Sequence, residues 1–238
     1  MKRSKLLLFT IVLAMCLWSP AVRVAANGKL DEVLANMERA ARSIKTIEAD
    51  MRQEIRDGQI GGLPERYSGR IYFEHRAKNS DRVRINYSQP PGQVGAVDGD
   101  RITFYQPKIN QVTITSRRAQ AAKNQEFSFI ATPYKSIPEL KSQYNIVYAG
   151  DEKVDSASTA KLEMTPKGES SVEKLTLWVD GNSWLPIKYQ VVEYKIVKNK
   201  KVTTFVTTFT LTDLKLNKGL PGNIFKVDVA PGTKVVRQ

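Results

Sequence analysis

Residues 97–107 read Val97-Asp98-Gly99-Asp100-Arg101-Ile102-Thr103-Phe104-Tyr105-Gln106-Pro107. Asp98-Gly99-Asp100 is a tight-turn signal between two short stretches of β-branched and aromatic residues, so the segment predicts a β-hairpin. The same period of two continues upstream. Val83, Ile85 and Tyr87 alternate with Arg82, Arg84 and Asn86; Gly69, Ile71 and Phe73 alternate with Arg70, Tyr72 and Glu74; Met51 and Ile55 alternate with Arg52, Glu54 and Arg56. Pro90-Pro91-Gly92 breaks the chain before residues 94–97, and Gln106-Pro107 leads downstream into residues 112–115. Six short strands with tight turns over about 70 residues describe an antiparallel meander.

A helix precedes the meander. Leu30, Val33, Leu34, Met37, Ala40, Ala41 and Ile44 recur at three- and four-residue spacing, the mark of an amphipathic helix over about 28–45. After the meander, residues 117–142 lose the period of two, and Pro133 and Pro138 cut them into short helical pieces. Strands then return at 144–149, 161–165, 172–179, 187–194 and 202–214. The expected fold class is therefore mainly β (α+β): an open, half-closed antiparallel barrel of about eleven strands, with helices over its concave side. An uncovered apolar face of that size would aggregate.

Residues 1–26 predict a cleavable signal peptide. Lys2, Arg3 and Lys5 precede an apolar run at 6–18, and Val24-Ala25-Ala26 offers a peptidase site before Asn27. The run is shorter than the ~20 residues a spanning helix needs. Met15 before Cys16 is too large for a lipoprotein-type signal. Residues 27–238 form one expected domain, with neither an internal repeat nor a low-complexity linker.

Of the 238 residues, 41% are apolar and 26% charged, a balance for a folded chain. Cys16 and His75 are the only residues of their types. The composition excludes an intrachain disulfide, a Cys/His zinc site and a disulfide redox pair. The sequence lacks Gly-x-Ser-x-Gly, Ser-x-x-Lys and a phosphate-cradling glycine loop. The expectation is thus a non-enzyme with no catalytic residue, no metal and no cofactor. The formal charge is +13, and removal of Lys2, Arg3, Lys5 and Arg23 with the leader leaves +9. Arg117-Arg118 and residues 198–201 are the densest basic clusters, without the interleaved aromatics of a base-stacking platform. Nucleic acid is therefore not an expected partner; anionic headgroups or acidic partners fit an exported basic chain better.

Several segments, in order, resemble the LolA family of periplasmic carriers of outer-membrane lipoproteins: the helix and strand over 30–55, Gly69-Arg70-Ile71-Tyr72-Phe73, Val83-Arg84-Ile85-Asn86-Tyr87 with Gln89-Pro90, the hairpin 97–107 continuing to Gln111-Val112, Leu177-Trp178-Val179-Asp180 with Trp184-Leu185-Pro186-Ile187-Lys188, and Leu216-Asn217-Lys218-Gly219-Leu220-Pro221 through Pro231-Gly232-Thr233-Lys234-Val235. The resemblance implies helices forming a lid over an apolar cavity that shelters acyl chains. It implies a monomeric periplasmic chaperone that receives lipoproteins from an inner-membrane ABC-type releasing transporter. Delivery would be to an outer-membrane acceptor lipoprotein or to the outer membrane itself. It also implies a lid-closing arginine; His75, Arg76 and Arg82 compete for that place beside an apparent insertion at 77–81, and Arg76 is the choice. The alternative within the same fold is a lipid-sensing regulator or a carrier of another lipid. Sensors of that kind carry a further C-terminal domain, and with few residues after 232 none is expected here.

If the sheet is half closed, alternate residues of each strand share its concave surface. The most apolar alternate sets are Met51 and Ile55, Ile71 and Phe73, Val83 and Ile85, Ile102 and Phe104, Leu162 and Met164, Leu175 and Leu177, and Phe205 and Phe209. About half of them are expected to touch cargo and the rest to be core. Phe127, Phe129 and Ile130, in the proline-cut insertion, are expected on the underside of the lid. The opposite face should be solvated.

Overall fold

The computed structural model describes residues 20–76, 80–122 and 137–238. Its body is one twelve-stranded sheet: β1 (Thr46–Asp57), β2 (Glu65–Glu74), β3 (Arg82–Gln89), β4 (Val94–Asp98), β5 (Arg101–Gln106), β6 (Gln111–Ser116), β7 (Tyr144–Val154), β8 (Ala157–Pro166), β9 (Val172–Asp180), β10 (Pro186–Val197), β11 (Lys200–Leu216) and β12 (Lys234–Arg237). The spatial order is β12-β6-β5-β4-β3-β2-β1-β11-β10-β9-β8-β7. Two meanders, β1–β6 and β7–β11, are thus joined by pairing of β1 with β11, and the sheet stays open at β12 and β7. Every pairing is antiparallel except β12 with β6. Among the described residues the helices are α1 (Pro20–Ser43), α2 (Arg117–Ala122) and α3 (Ile137–Gln143), with a 3-10 turn at Pro107–Ile109.

The expected hairpin at 97–107 is present, turning at Gly99 with φ +57°. The strand count departs from eleven because β12 lacks a hydrophobic alternation long enough to stand out. β7 and β8 are also longer than expected, meeting in a turn at Asp155 with φ +50°. Residues 150–160 are mostly polar, so apolar alternation does not mark them as strand. α1, described from Pro20, reaches into the segment expected to be cleaved. Its other end is held by Asn217. That side chain accepts from the Lys45 amide at 2.7 Å and donates to the Ser43 carbonyl at 3.2 Å, pairing groups the helix terminus leaves free.

Bulges coil the sheet. Register shifts occur at Glu48/Asp50 between β1 and β11, at Ser68/Gly69 between β2 and β3, at Tyr148/Asp151 between β7 and β8, and at Val192/Tyr194 in β10. Each adds local twist and bends its strand. At Gly69 a Cβ would collide with the Asn86 carbonyl oxygen, so only glycine lets β2 and β3 approach this closely.

The face opposite the concave one is not simply solvated, contrary to expectation. Trp178, Val154 and Ile187 form a small buried cluster there, with Lys188 Nζ 4.2 Å from the Trp178 ring centre. Residues 217–233 also cross the outside of β3–β6. Arg84 Nη1 donates to the Lys226 carbonyl at 2.6 Å, and Phe225 is buried with the Arg82 guanidinium 4.3 Å from its ring centre. The solvated part of that face is central, where Arg70 joins Glu48 (2.7 Å), Asp50 (3.0 Å) and Asp213 (3.2 Å) across β1, β2 and β11. These pairs are part-exposed and contribute modestly to stability.

Candidate functional site

The pairing register assembles the concave face row by row. One row runs Ala49, Ile71, Ile85, Gly95, Phe104 across β1 to β5, and its neighbour runs Ile47, Phe73, Val83, Val97, Ile102. From β1 in the other direction, Gln53, Phe209, Tyr189, Leu177, Leu162 and Tyr148 form a row. Ile55, Thr207, Val191, Leu175, Met164 and Ile146 form the next. Phe205 stands opposite Asp57 at the end of this surface. The apolar set read from alternation therefore shares one face throughout.

Burial divides that face. Met51, Ile71, Phe73, Val83, Ile85, Ile102, Leu162, Met164, Leu175, Leu177 and Phe209 are buried, each at most 6% exposed. Ile55 and Phe104 are half-buried, and Phe205 is 41% exposed. In the β7–β10 half the burial has an identified cause. Val33, Leu34 and Met37 of α1 and Ile137 and Leu140 of α3 join Leu162, Met164, Leu175 and Leu177 in one cluster. Those strand residues are core beneath helices. Met51, Ile71, Phe73, Val83, Ile85, Ile102 and Phe209 belong to a second cluster, which α1 reaches, among the described residues, through Ala40 beside Ile44.

Residues missed by the sequence reading lie along the second cluster. Tyr87 meets Tyr67 and Phe104 edge-to-face, with ring centres 6.2 Å apart in both pairs, and Tyr189 stacks on Phe209 at 5.0 Å. Together with Leu211 beside Met51, they extend the apolar surface toward its half-buried margin. The alternation 83, 85, 87 puts Tyr87 on this face, but its polar end keeps a tyrosine out of a set defined by apolar residues.

Electrostatics mark this surface as poor in water. Burial, with Tyr67 nearby, pushes the Tyr87 phenol up to about 12. Tyr87 has a pH consequence. Its pKa in the unfolded chain is 10.0, so below that pH both states keep the proton and the stability is fully present. Between pH 10.0 and about 12 the unfolded phenol ionises first, and stability falls. The urea midpoint is expected to drop across that window more steeply in the wild type than in Tyr87→Phe; equal slopes would contradict a buried, neutral Tyr87.

Arg76 is not brought to the concave face. Its Nε donates to Glu74 Oε2 at 2.9 Å, and Glu74 alternates with the concave Phe73. His75 pairs with Asp81 at 2.9 Å on the surface. Phe127, Phe129 and Ile130 lie outside the described residues. Among the described residues, no cluster of three His, Cys, Asp or Glu side chains could hold a metal ion.

The family described as Outer membrane lipoprotein carrier protein LolA matches residues 42–228. An outer-membrane lipoprotein carrier protein of Xanthomonas oryzae pv. oryzae is 24% identical over 229 residues, 94% of each chain. Another, of Alkalilimnicola ehrlichii, is 29% identical over 110 residues, 46% of this chain. The match spans about half of that relative, 48%, and of a further curated relative, 47%. Among solved structures, MucB superposes with a TM-score of 0.55 at 16% identity, over 88% of this chain and 66% of that one. That likeness is one of fold.

Proposed function

We propose, from the premise that the chain belongs to the LolA family of outer membrane lipoprotein carrier proteins, that it is a periplasmic chaperone that shelters lipoprotein acyl chains on its concave face and shuttles them from the inner to the outer membrane. The family is one of carriers, not enzymes. The observation that carries the proposal is the apolar concave surface, continuous in register from β5 to β7, whose margin at Tyr87, Phe104, Ile55 and Phe205 is incompletely buried.

Each methylene withdrawn from water contributes ~0.8 kcal/mol, so a lipoprotein with several acyl chains does not cross an aqueous compartment bare. A protein surface offers little advantage over a bilayer, however. Loading therefore needs work from an inner-membrane ABC-type releasing transporter, and unloading needs a stronger acceptor: an outer-membrane lipoprotein or the membrane itself. No step requires a covalent change in the carrier. The Tyr67, Tyr87 and Phe104 rings, set edge-to-face, supply apolar surface against which chains of different length can lie.

Spheroplasts incubated with the purified protein test the proposal. A labelled lipoprotein should leave the inner membrane as an equimolar soluble complex; retention in the membrane would overturn it. Export is tested separately by mass spectrometry of the protein recovered from its native host. The expected mature chain starts at Asn27, and a fatty-acylated chain starting at Cys16 would replace the soluble shuttle with an anchored one.

A further inference from the structure

At one end of the sheet two hairpins stand side by side, and both end in exposed aliphatic residues. The β1–β2 hairpin carries Ile60 and Leu63, which are 87% and 91% exposed. The β10–β11 hairpin carries Ile196 and Val197, 60% and 40% exposed. Pairing of β1 with β11 makes them neighbours: Asp57 is opposite Phe205, and the Gly58 amide donates to the Thr204 carbonyl at 2.9 Å.

Neither tip is a frayed end. The Asp57 carboxylate accepts from the amides of Gln59 at 2.7 Å and Ile60 at 2.9 Å, which pulls its pKa down. Lys198 and Asn199 form the other turn with φ of +48° and +59°, the double left-handed geometry of a tight hairpin. Ordered turns therefore hold large aliphatic side chains in water, where nothing in the fold covers them among the described residues.

Charge indicates what covers them. Lys195, Lys198, Lys200 and Lys201 flank Ile196 and Val197, all four exposed, and residues 195–201 contain no acid. Of the acids nearby, Asp57 is engaged in its turn, Glu65 accepts from Tyr67 Oη at 2.9 Å, and Glu193, two residues before Lys195, is half-buried with its carboxyl pKa raised by burial. Aliphatic tips ringed by lysines match an anionic lipid surface, where apolar groups enter the headgroup layer and ammonium groups meet phosphates. The position fits as well. Ile55 and Phe205 close the concave face at this same end, so a bilayer docked here would lie next to the acyl-binding surface.

We propose that these two hairpins form a membrane-docking rim for anionic phospholipid, through which acyl chains pass between the concave face and a bilayer. The route for acyl chains rests on the carrier function proposed above; the docking itself does not.

The test is co-sedimentation of the full mature chain with vesicles of phosphatidylcholine alone or mixed with phosphatidylglycerol. The wild type should bind the mixed vesicles and be displaced by salt. Ile60→Ser with Leu63→Ser, and separately Lys198→Glu with Lys200→Glu, should each weaken binding at least tenfold. All substituted side chains are exposed, so thermal unfolding and acylated-peptide binding should be unchanged. Undiminished vesicle binding by both variants, or none by the wild type, would overturn the docking rim. So would a wild-type dimer that dissociates in the variants, because the tips would then cover a second copy of the chain. Loss of acylated-peptide binding by the wild type, with vesicle binding intact, would instead refute the carrier function and leave the rim standing.

Discussion

Phe104→Glu is expected to yield a folded protein that no longer retains an acylated peptide, whereas Ile85→Glu is expected not to fold. The two positions are neighbours in one cross-strand row, separated by Gly95. Ile85 is 2% exposed and belongs to the cluster of Ala49, Ile71 and Val83. A carboxylate there has no partner and no water, at a cost of several kcal/mol. That is a large share of a total stability of about 5–15 kcal/mol. Phe104 is half-buried at the margin of the apolar surface, so a glutamate can turn toward solvent. Removing the ring takes away about 1.5–3 kcal/mol of apolar contact, and a charge is left against the acyl chain. Affinity for a fluorescent acylated peptide should fall at least a hundredfold, with a urea midpoint close to wild type. Intact binding in folded Phe104→Glu would remove this position from the cargo surface, and a folded Ile85→Glu would show that position to be cavity wall.

Leu162→Ala makes the opposite separation. Leu162 is fully buried beneath Val33, Leu34 and Met37 of α1, so its truncation leaves a void that a helix docked on a sheet fills only in part. The expected loss is about 2–5 kcal/mol, read from the urea midpoint. Acylated-peptide affinity of the folded fraction should stay within about twofold of wild type, because the helix and not the cargo covers this side chain. A tenfold drop in affinity with little change in stability would mean that α1 lifts from this half of the sheet to admit ligand.

Leu162 and Phe104 also show how far the strand patterns carried. Both were placed on one face by period two alone, and the register puts them there. Side-chain direction alternates strictly along a strand, and bulges that re-aim residues fall mainly between the apolar sets. Alternation holds no information about what lies above the face. The same pattern describes Leu162 under α1 and Phe104 at an open margin.

The composition and patterning of this chain by themselves determined the fold class, the hairpin at Asp98-Gly99 and the membership of the concave face. Those follow from local rules of turn chemistry and strand period. Tertiary structure alone decided the pairing of β1 with β11, residues 148 to 169 positions apart. It alone set Arg76 on Glu74, away from the concave face, and hid Trp178 and Phe225 on an outer face expected to be wet. It also brought Ile60 and Leu63 beside the lysines of 195–201. These outcomes depend on which distant segments pack together, a choice set by the summed burial of the whole sheet and written in no single stretch of residues.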